Sequence, residues 1–283
     1  MTDTILVTGA SGNLGRATLA ALHARGVAAT GGSRTPGAGM RRVDFDDRST
    51  LELTGVATLV LVSAGYAEDD EVVERHANVV AAAARGGVQH LVYTSLTSAG
   101  DHLAFASAHR ATERLVRASG VPWTILRNGL YAELFGALLM WAGDGVESAY
   151  GDGALAAVTR ADLAEAAAIV AADPARHAGR TYDLVGTPIT AAQVADRLGV
   201  PHRTIGLGEL RRRLLGLPEL LPFQPPMIAS IATGVRHGFL AEPGPDLADL
   251  LGRPVQDPVT MAVAAASATR PAVAGQPQAV LRP

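Results

Sequence analysis

The stretch best able to do chemistry lies at the start of the chain. Val7-Thr8-Gly9-Ala10-Ser11-Gly12-Asn13-Leu14-Gly15 spaces three glycines three residues apart, after the apolar run Ile5-Leu6-Val7. Leu14, Ala17, Thr18, Ala21 and Leu22 then recur at helical intervals, and Gly26 ends the pattern. A strand, a glycine loop and a helix in that order form a place for a pyrophosphate. Gly9 permits the tight turn, Gly12 lets the backbone approach the ligand, and Gly15 lets the helix pack close to the strand. The diphosphate would rest on the N–H groups and positive dipole end of the helix. Ser11, Asn13 and Leu14 complete the loop's contact residues.

The next strand selects the dinucleotide. A plain ribose is ordinarily held by an Asp or Glu about 20 residues past such a loop. Here that segment reads Thr30-Gly31-Gly32-Ser33-Arg34-Thr35, with no acid. The planar, permanently charged guanidinium of Arg34 suits a 2′-phosphate, and Ser33 adds a hydroxyl. NADPH is therefore expected over NADH, with Arg41 and Arg42 as alternative cations. Asp44 and Phe45 follow a third short strand, where the adenine would lie, and Phe45 offers a flat face. Asp46 or Asp47 can equally cap the next helix. Ser63-Ala64-Gly65 follow the apolar run 58–62 and should border the cofactor, since ligands of such sheets sit beyond the carboxyl ends of the strands.

Other chemistries are excluded by composition. The chain has no Cys, so disulfides, Cys-ligated zinc, Fe–S clusters and thiol catalysis are out. It has no Lys either; all 24 basic residues are Arg, which removes Schiff-base and Walker-type chemistry. The eight His show no metal spacing, and there is no Gly-x-Ser-x-Gly elbow, so neither a metal nor a hydrolase triad is assigned. A net charge of −3 argues against a broad nucleic-acid surface. A polar start followed at once by a strand suggests no signal peptide, and no apolar run approaches the ~18–20 residues of a membrane span. A cytoplasmic protein is expected, with no membrane or nucleic-acid partner, as monomer or homodimer.

The elements that must position these residues alternate. Strands are expected at 5–7, 27–30, 42–44, 58–62, 91–94 and 123–126, and helices over 14–25, 70–85 and 104–119. This rhythm predicts an α/β fold, a doubly wound parallel (Rossmann) sheet. Beyond Asn128 a helix is expected over 131–141, then a Gly-rich stretch over 143–153. An Ala-rich helix follows at 162–172, then a strand at 181–185, and Thr190 with Gln193 forms a capping box for a helix to 198. Residues 1–130 with about 155–190 make the dinucleotide-binding domain. Residues 131–154 and 191–265, helical pieces broken by Pro, make a smaller, mostly helical C-terminal substrate lobe. Residues 266–283 read as a mobile tail.

The glycine loop, Arg34 and Tyr93-Thr94-Ser95-Leu96 together resemble the atypical short-chain dehydrogenase/reductase superfamily. Within it, Thr112-Glu113-Arg114-Leu115, the run from Ser119 through Arg127-Asn128-Gly129, and Tyr131-Ala132-Glu133 are similar to the NmrA-like group, most of all its bacterial NADPH:quinone oxidoreductases. His76-Ala77-Asn78-Val79, Thr159-Arg160-Ala161-Asp162 and Leu251-Gly252-Arg253-Pro254 also match, so the resemblance spans roughly residues 4–265. It implies NADPH binding and transfer of hydride to a quinone or similar conjugated carbonyl. Other members of the group sense NADP(H) without turnover, or act as tailoring reductases or isomerases. The superfamily's Tyr-x-x-x-Lys pair is missing, as in the quinone reductases of the group: Phe105 and His109 stand at those positions. Thr94 and Ser95 are expected beside the cofactor. His109, Asn128 and Tyr131 are the catalytic candidates, with Tyr66 a further pocket residue. His109 could offset negative charge or give up a proton near neutral pH. Tyr131 fits either the pocket or the core.

Overall fold

The structure, a computed structural model, describes residues 4–64 and 66–271. Its centre is a seven-stranded sheet made of β1 (Thr4–Val7), β2 (Ala29–Ser33), β3 (Arg41–Arg42), β4 (Val56–Leu61), β5 (His90–Leu96), β6 (Trp123–Asn128) and β10 (Thr181–Leu184). The strands run in the order β10-β6-β5-β4-β1-β2-β3, and every pair is parallel. Every residue of β4 and β5 is buried, as an unbroken apolar strand covered on both faces requires. Helices α1 (Asn13–Ala24) and α5 (Arg160–Ala172) cover one face. The many alanines of α5 let it lie close against α1. Helices α2 (Asp69–Arg85) and α3 (Ala106–Ala118) cover the other, packing Val79, Val80, Ala83 and Val116 on Leu59, Leu61 and Ile125.

β2 extends three residues past its expected end because Gly31 and Gly32 belong inside it. A Cβ on Gly31 would stand 2.7 Å from the Ala10 Cβ, and one on Gly32 would stand 2.8 Å from Val43 Cγ2. Both belong to a strand crowded by the glycine loop and the next strand.

The lobe contains α4 (Ala132–Ala137), α6 (Ala191–Leu198), α7 (Leu207–Leu215), α8 (Gln224–Arg236) and α10 (Pro258–Ala268) around a second core. It also carries small sheets that the helix-based expectation omits. β7 (Met140–Ala142) pairs antiparallel with β8 (Gly145–Ser148), which pairs parallel with β12 (His202–Thr204); β9 (Ala154–Ala157) pairs antiparallel with β11 (Thr187–Thr190). The helix expected over 131–141 therefore stops at Ala137. Ala142 pairs with Gly145 across Gly143-Asp144, a two-residue hairpin at the start of the Gly-rich stretch. The capping box at Thr190 and Gln193 is present.

Two boundaries also differ. α9 (Asp246–Leu251) leaves the lobe and returns to the sheet, burying Leu247 and Leu251 in the α1/α5 core. α10 runs through Ala268 with Ala266 fully buried, so the segment expected to be a tail begins inside a helix. Residues 272–283 lie outside the described residues.

Candidate active site

The glycine loop crosses the carboxyl ends of the central strands and is tied to each neighbour. Thr8 donates its N–H to the Val60 carbonyl at 3.0 Å, and its hydroxyl accepts the Val62 N–H at 3.0 Å. The Ala10 N–H reaches the Gly32 carbonyl at 3.0 Å. Gly9 has φ +62°, and a Cβ on Gly15 would lie 2.3 Å from the Gly9 carbonyl oxygen, so only glycine permits this loop-to-helix approach. At the N-terminus of α1 Gly12 is the cap, no side chain caps it, and the first turn has no acid. Its leading N–H groups and dipole stay available to an anion. Ser11 and Asn13 are exposed at this end, whereas Leu14 is buried and offers only backbone.

The end of β2 is stitched to the loop by Ser33, whose buried hydroxyl donates to Ser11 Oγ at 3.0 Å. Arg34 is exposed and makes no ion pair among the described residues. The alternative cations are engaged: Arg41 donates to the Glu52 carbonyl, and Arg42 lies 3.6 Å from Asp47. Arg75 hydrogen-bonds Asp46 at 2.8 and 3.0 Å and, with the charge of Arg34 adding to it, holds that carboxyl below its ordinary range. Asp47 caps the short 3₁₀ turn at Arg48–Thr50. Asp44 is half-buried after β3, its carboxylate accepting the Asp46 N–H at 3.2 Å. Phe45 corrects an expectation. Its ring turns into the core beneath α2, edge-on to His76, and only its backbone faces the site.

Ser63 and Ala64 follow β4 as expected; Gly65 lies outside the described residues. α2 holds this corner. His76 Nε2 accepts the Ala64 N–H at 2.9 Å, its Nδ1 meets Thr112 Oγ1 at 2.8 Å, and Asn78 donates to the Phe45 carbonyl at 3.0 Å. Burial keeps the His76 imidazole at about 3 and therefore neutral. The Ser63 hydroxyl oxygen is buried with no hydrogen-bond partner.

β5 runs to Leu96, further than expected, so Thr94 and Ser95 lie within it rather than at its rim. Both are buried with their hydroxyls engaged, Thr94 accepting the Ser63 N–H at 3.0 Å and Ser95 donating to Glu113 at 2.7 Å. They support the site from beneath instead of facing the ligand. Glu113 is a hub that sequence reasoning did not isolate. It is buried, receives Arg127 at 2.7 and 2.8 Å, Arg110 at 2.8 Å and Arg117 at 3.1 Å, and its carboxyl is held at about 2. Its desolvation is outweighed by hydrogen bonds from Arg127 and Ser95 and by the Arg charges. Arg110 and Arg127 also grip the Leu96 and Thr97 carbonyls and Ser98, fixing the loop after β5.

His109 sits one turn into α3, partly exposed, with Nδ1 3.0 Å from the hydroxyl of buried Tyr93. Burial, with the charge of Arg110 assisting, holds its imidazole at about 4. Burial thus favours a neutral His109 imidazole where one that offsets charge or gives up a proton near neutral pH was expected. Asn128 ends β6, its amide oxygen buried and unpartnered. Tyr131 packs toward the α1/α5 core with the Arg160 guanidinium 4.7 Å over its ring. Burial raises its phenol.

Comparison with known proteins agrees with this architecture. The family model described as NAD(P)H-binding matches residues 9–174. The chain is 33% identical over 275 residues to quinone oxidoreductase 2 of Escherichia coli, covering 88% of this chain and 94% of that protein. It is 34% identical over 279 residues to (4-alkanoyl-5-oxo-2,5-dihydrofuran-3-yl)methyl phosphate reductase of Streptomyces griseus, covering 89% and 94%. Among solved structures it resembles Citrobacter sp. triphenylmethane reductase complexed with NADP(H), with a TM-score of 0.82 and 28% identity, covering 93% of this chain and 99% of that one. It also resembles the Escherichia coli NADPH-dependent quinone oxidoreductase complexed with NADPH, with a TM-score of 0.79 and 30% identity, covering 91% and 98%.

Proposed function

The chain belongs to the NAD(P)H-binding family and is an NAD(P)H-dependent oxidoreductase, and from that premise we propose that it transfers hydride from NADPH to a quinone or similar conjugated carbonyl. The observation carrying the cofactor choice is Arg34, an exposed cation with no ion pair among the described residues, at the position where an acid would hold a plain ribose. The cradle fits a dinucleotide. Its glycine loop has no room for a Cβ at Gly15, its helix N-terminus lacks a side-chain cap, and the buried Ser63 hydroxyl oxygen lacks a partner.

The bound nicotinamide would supply the hydride. Gly9, Gly12 and Gly15 with Ser11, Asn13 and the Leu14 backbone would hold the diphosphate, and Arg34 beside Ser33 the 2′-phosphate. Asp44 and the Phe45 backbone would border the adenine. Ser63 and Ala64, backed by Thr94 and Ser95, would border the nicotinamide. An electron-poor acceptor needs no proton abstraction, so the protein's tasks are orientation, exclusion of water and stabilisation of the oxygen that gains charge. A neutral His109 N–H can donate to that oxygen. Asn128 places an amide there, and Tyr131, fixed by Arg160, steadies it. Both curated relatives are named for reducing compounds of this breadth, a quinone and an oxo-dihydrofuran.

The test is consumption of NADPH, followed by nicotinamide absorbance, against a panel of quinones and other conjugated carbonyls. Turnover with NADPH well above that with NADH is expected. Tight NADPH binding with no turnover on any acceptor would overturn the acceptor class and leave a dinucleotide-binding regulator.

A further inference from the structure

Tyr93 has no part in that account, yet its surroundings give it one. It sits in the central strand β5, wholly buried, facing α2 and α3. Its hydroxyl lies 3.0 Å from His109 Nδ1.

The protons of this cluster can be assigned one by one. His76 Nε2 accepts the Ala64 N–H, so the His76 proton is on Nδ1 and goes to Thr112 Oγ1. The Thr112 hydroxyl proton goes to the Ala108 carbonyl at 2.8 Å. The acceptor left at bonding distance for the phenolic proton is His109 Nδ1. A neutral His109 that accepts on Nδ1 carries its own proton on Nε2. Because Tyr93 has no exposed surface, the Nδ1 edge of His109 is its buried edge, while the residue as a whole is partly exposed.

We propose that Tyr93 is a positioning residue. It holds His109 as the Nε2–H tautomer and fixes the ring so that this N–H serves the ligand side. The inference deepens, and rests on, the role proposed for His109.

Two measurements test it. In protein carrying ¹⁵N-labelled histidine, the His109 resonances, assigned by their absence in His109→Gln, should report the neutral Nε2–H tautomer. In Tyr93→Phe, which keeps the ring and loses the hydroxyl, the Nδ1–H form should appear. In turnover with a quinone, Tyr93→Phe should lower kcat about tenfold, a part of the roughly 10²- to 10⁴-fold that a positioned proton donor itself contributes. The Kd for NADPH should be unchanged, and the substitution should add little in the His109→Gln background. A wild-type protein with the proton on Nδ1 overturns the proposal without recourse to any variant. So does a Tyr93→Phe loss that adds in full to that of His109→Gln, or no loss at all. If the wild type binds NADPH but reduces no acceptor, the proposed function fails, while an Nε2–H signal still upholds the tautomer assignment.

Discussion

At the end of β2 one side chain is proposed to bear the choice between two cofactors. Arg34 is exposed and outside any ion pair among the described residues, so it can meet a phosphate without first breaking an internal contact. A hydrogen bond to a charged group contributes about 1.5–3 kcal/mol, or roughly 10- to 100-fold in affinity. Arg34→Ala is expected to weaken NADPH by that factor and to leave NADH nearly unchanged in calorimetric titrations. Equal losses for both would remove Arg34 from the phosphate site. Arg34 stands out in the sequence because its signal is local: a charge type at a fixed distance from a glycine loop. Phe45, Thr94 and Ser95 were placed on the right edge of the sheet, but their orientations were not legible. Whether a strand residue faces ligand or core depends on where the strand ends, and β5 ends at Leu96. The charge of His109 was misjudged for a related reason. Its ordinary pKa follows from residue type, but its neutral state follows from burial beside Tyr93 and Arg110, which no local pattern contains.

Among elements, the sequence runs that carry the family resemblance prove to be brackets between distant segments. Arg127 of the Arg-Asn-Gly run clasps Glu113 of the Thr-Glu-Arg-Leu run. Arg253 lies 2.8 Å from Asp162 and also pairs with Glu165, so the turn after α9 is locked onto α5. His76 and Asn78 hold the loops after β4 and β3. The motifs were visible, but their purpose was not, because each is half of a contact whose other half lies elsewhere in the chain. The buried histidines give this level a pH signature. His76, His90 and His109 are held at about 3, 4 and 4, chiefly by burial. Between those values and about 6.5 the unfolded chain binds more protons than the folded one, so stability rises with pH through that window and is lost as pH falls. Each such histidine contributes a slope of up to about 1.4 kcal/mol per pH unit. Denaturant unfolding from pH 7 to 5 should show this decline, and His76→Gln should make it shallower. An unchanged slope in His76→Gln would show that His76 is not held neutral in the fold.

For the whole molecule, the question is how the lobe is set against the ligand edge of the sheet, and α8 supplies the answer. Gln224, at its start, is buried; its amide donates to the Tyr66 hydroxyl at 2.8 Å and accepts the Leu221 N–H at 2.7 Å. Phe223 meets the Tyr66 ring edge-on at 5.2 Å. Two turns on, Ser230 accepts the Ala104 N–H at 3.1 Å from the loop after β5. One helix thus spans the loops after β4 and β5, and on the proposed function an acceptor enters between them. Removing the Tyr66 hydroxyl strands a buried amide donor, which costs about 1–3 kcal/mol. If the clasp sets the width of that entrance, Tyr66→Phe should raise KM for the acceptor severalfold and leave the Kd for NADPH unchanged. Gln224→Leu should do the same. The double substitution should be less destabilised than the sum of the two, by about 1 kcal/mol in thermal unfolding, because the buried Gln224 amide donor is then removed together with its partner. Strictly additive destabilisation, or a KM unmoved in both single variants, would mean that the lobe is held in place without this contact.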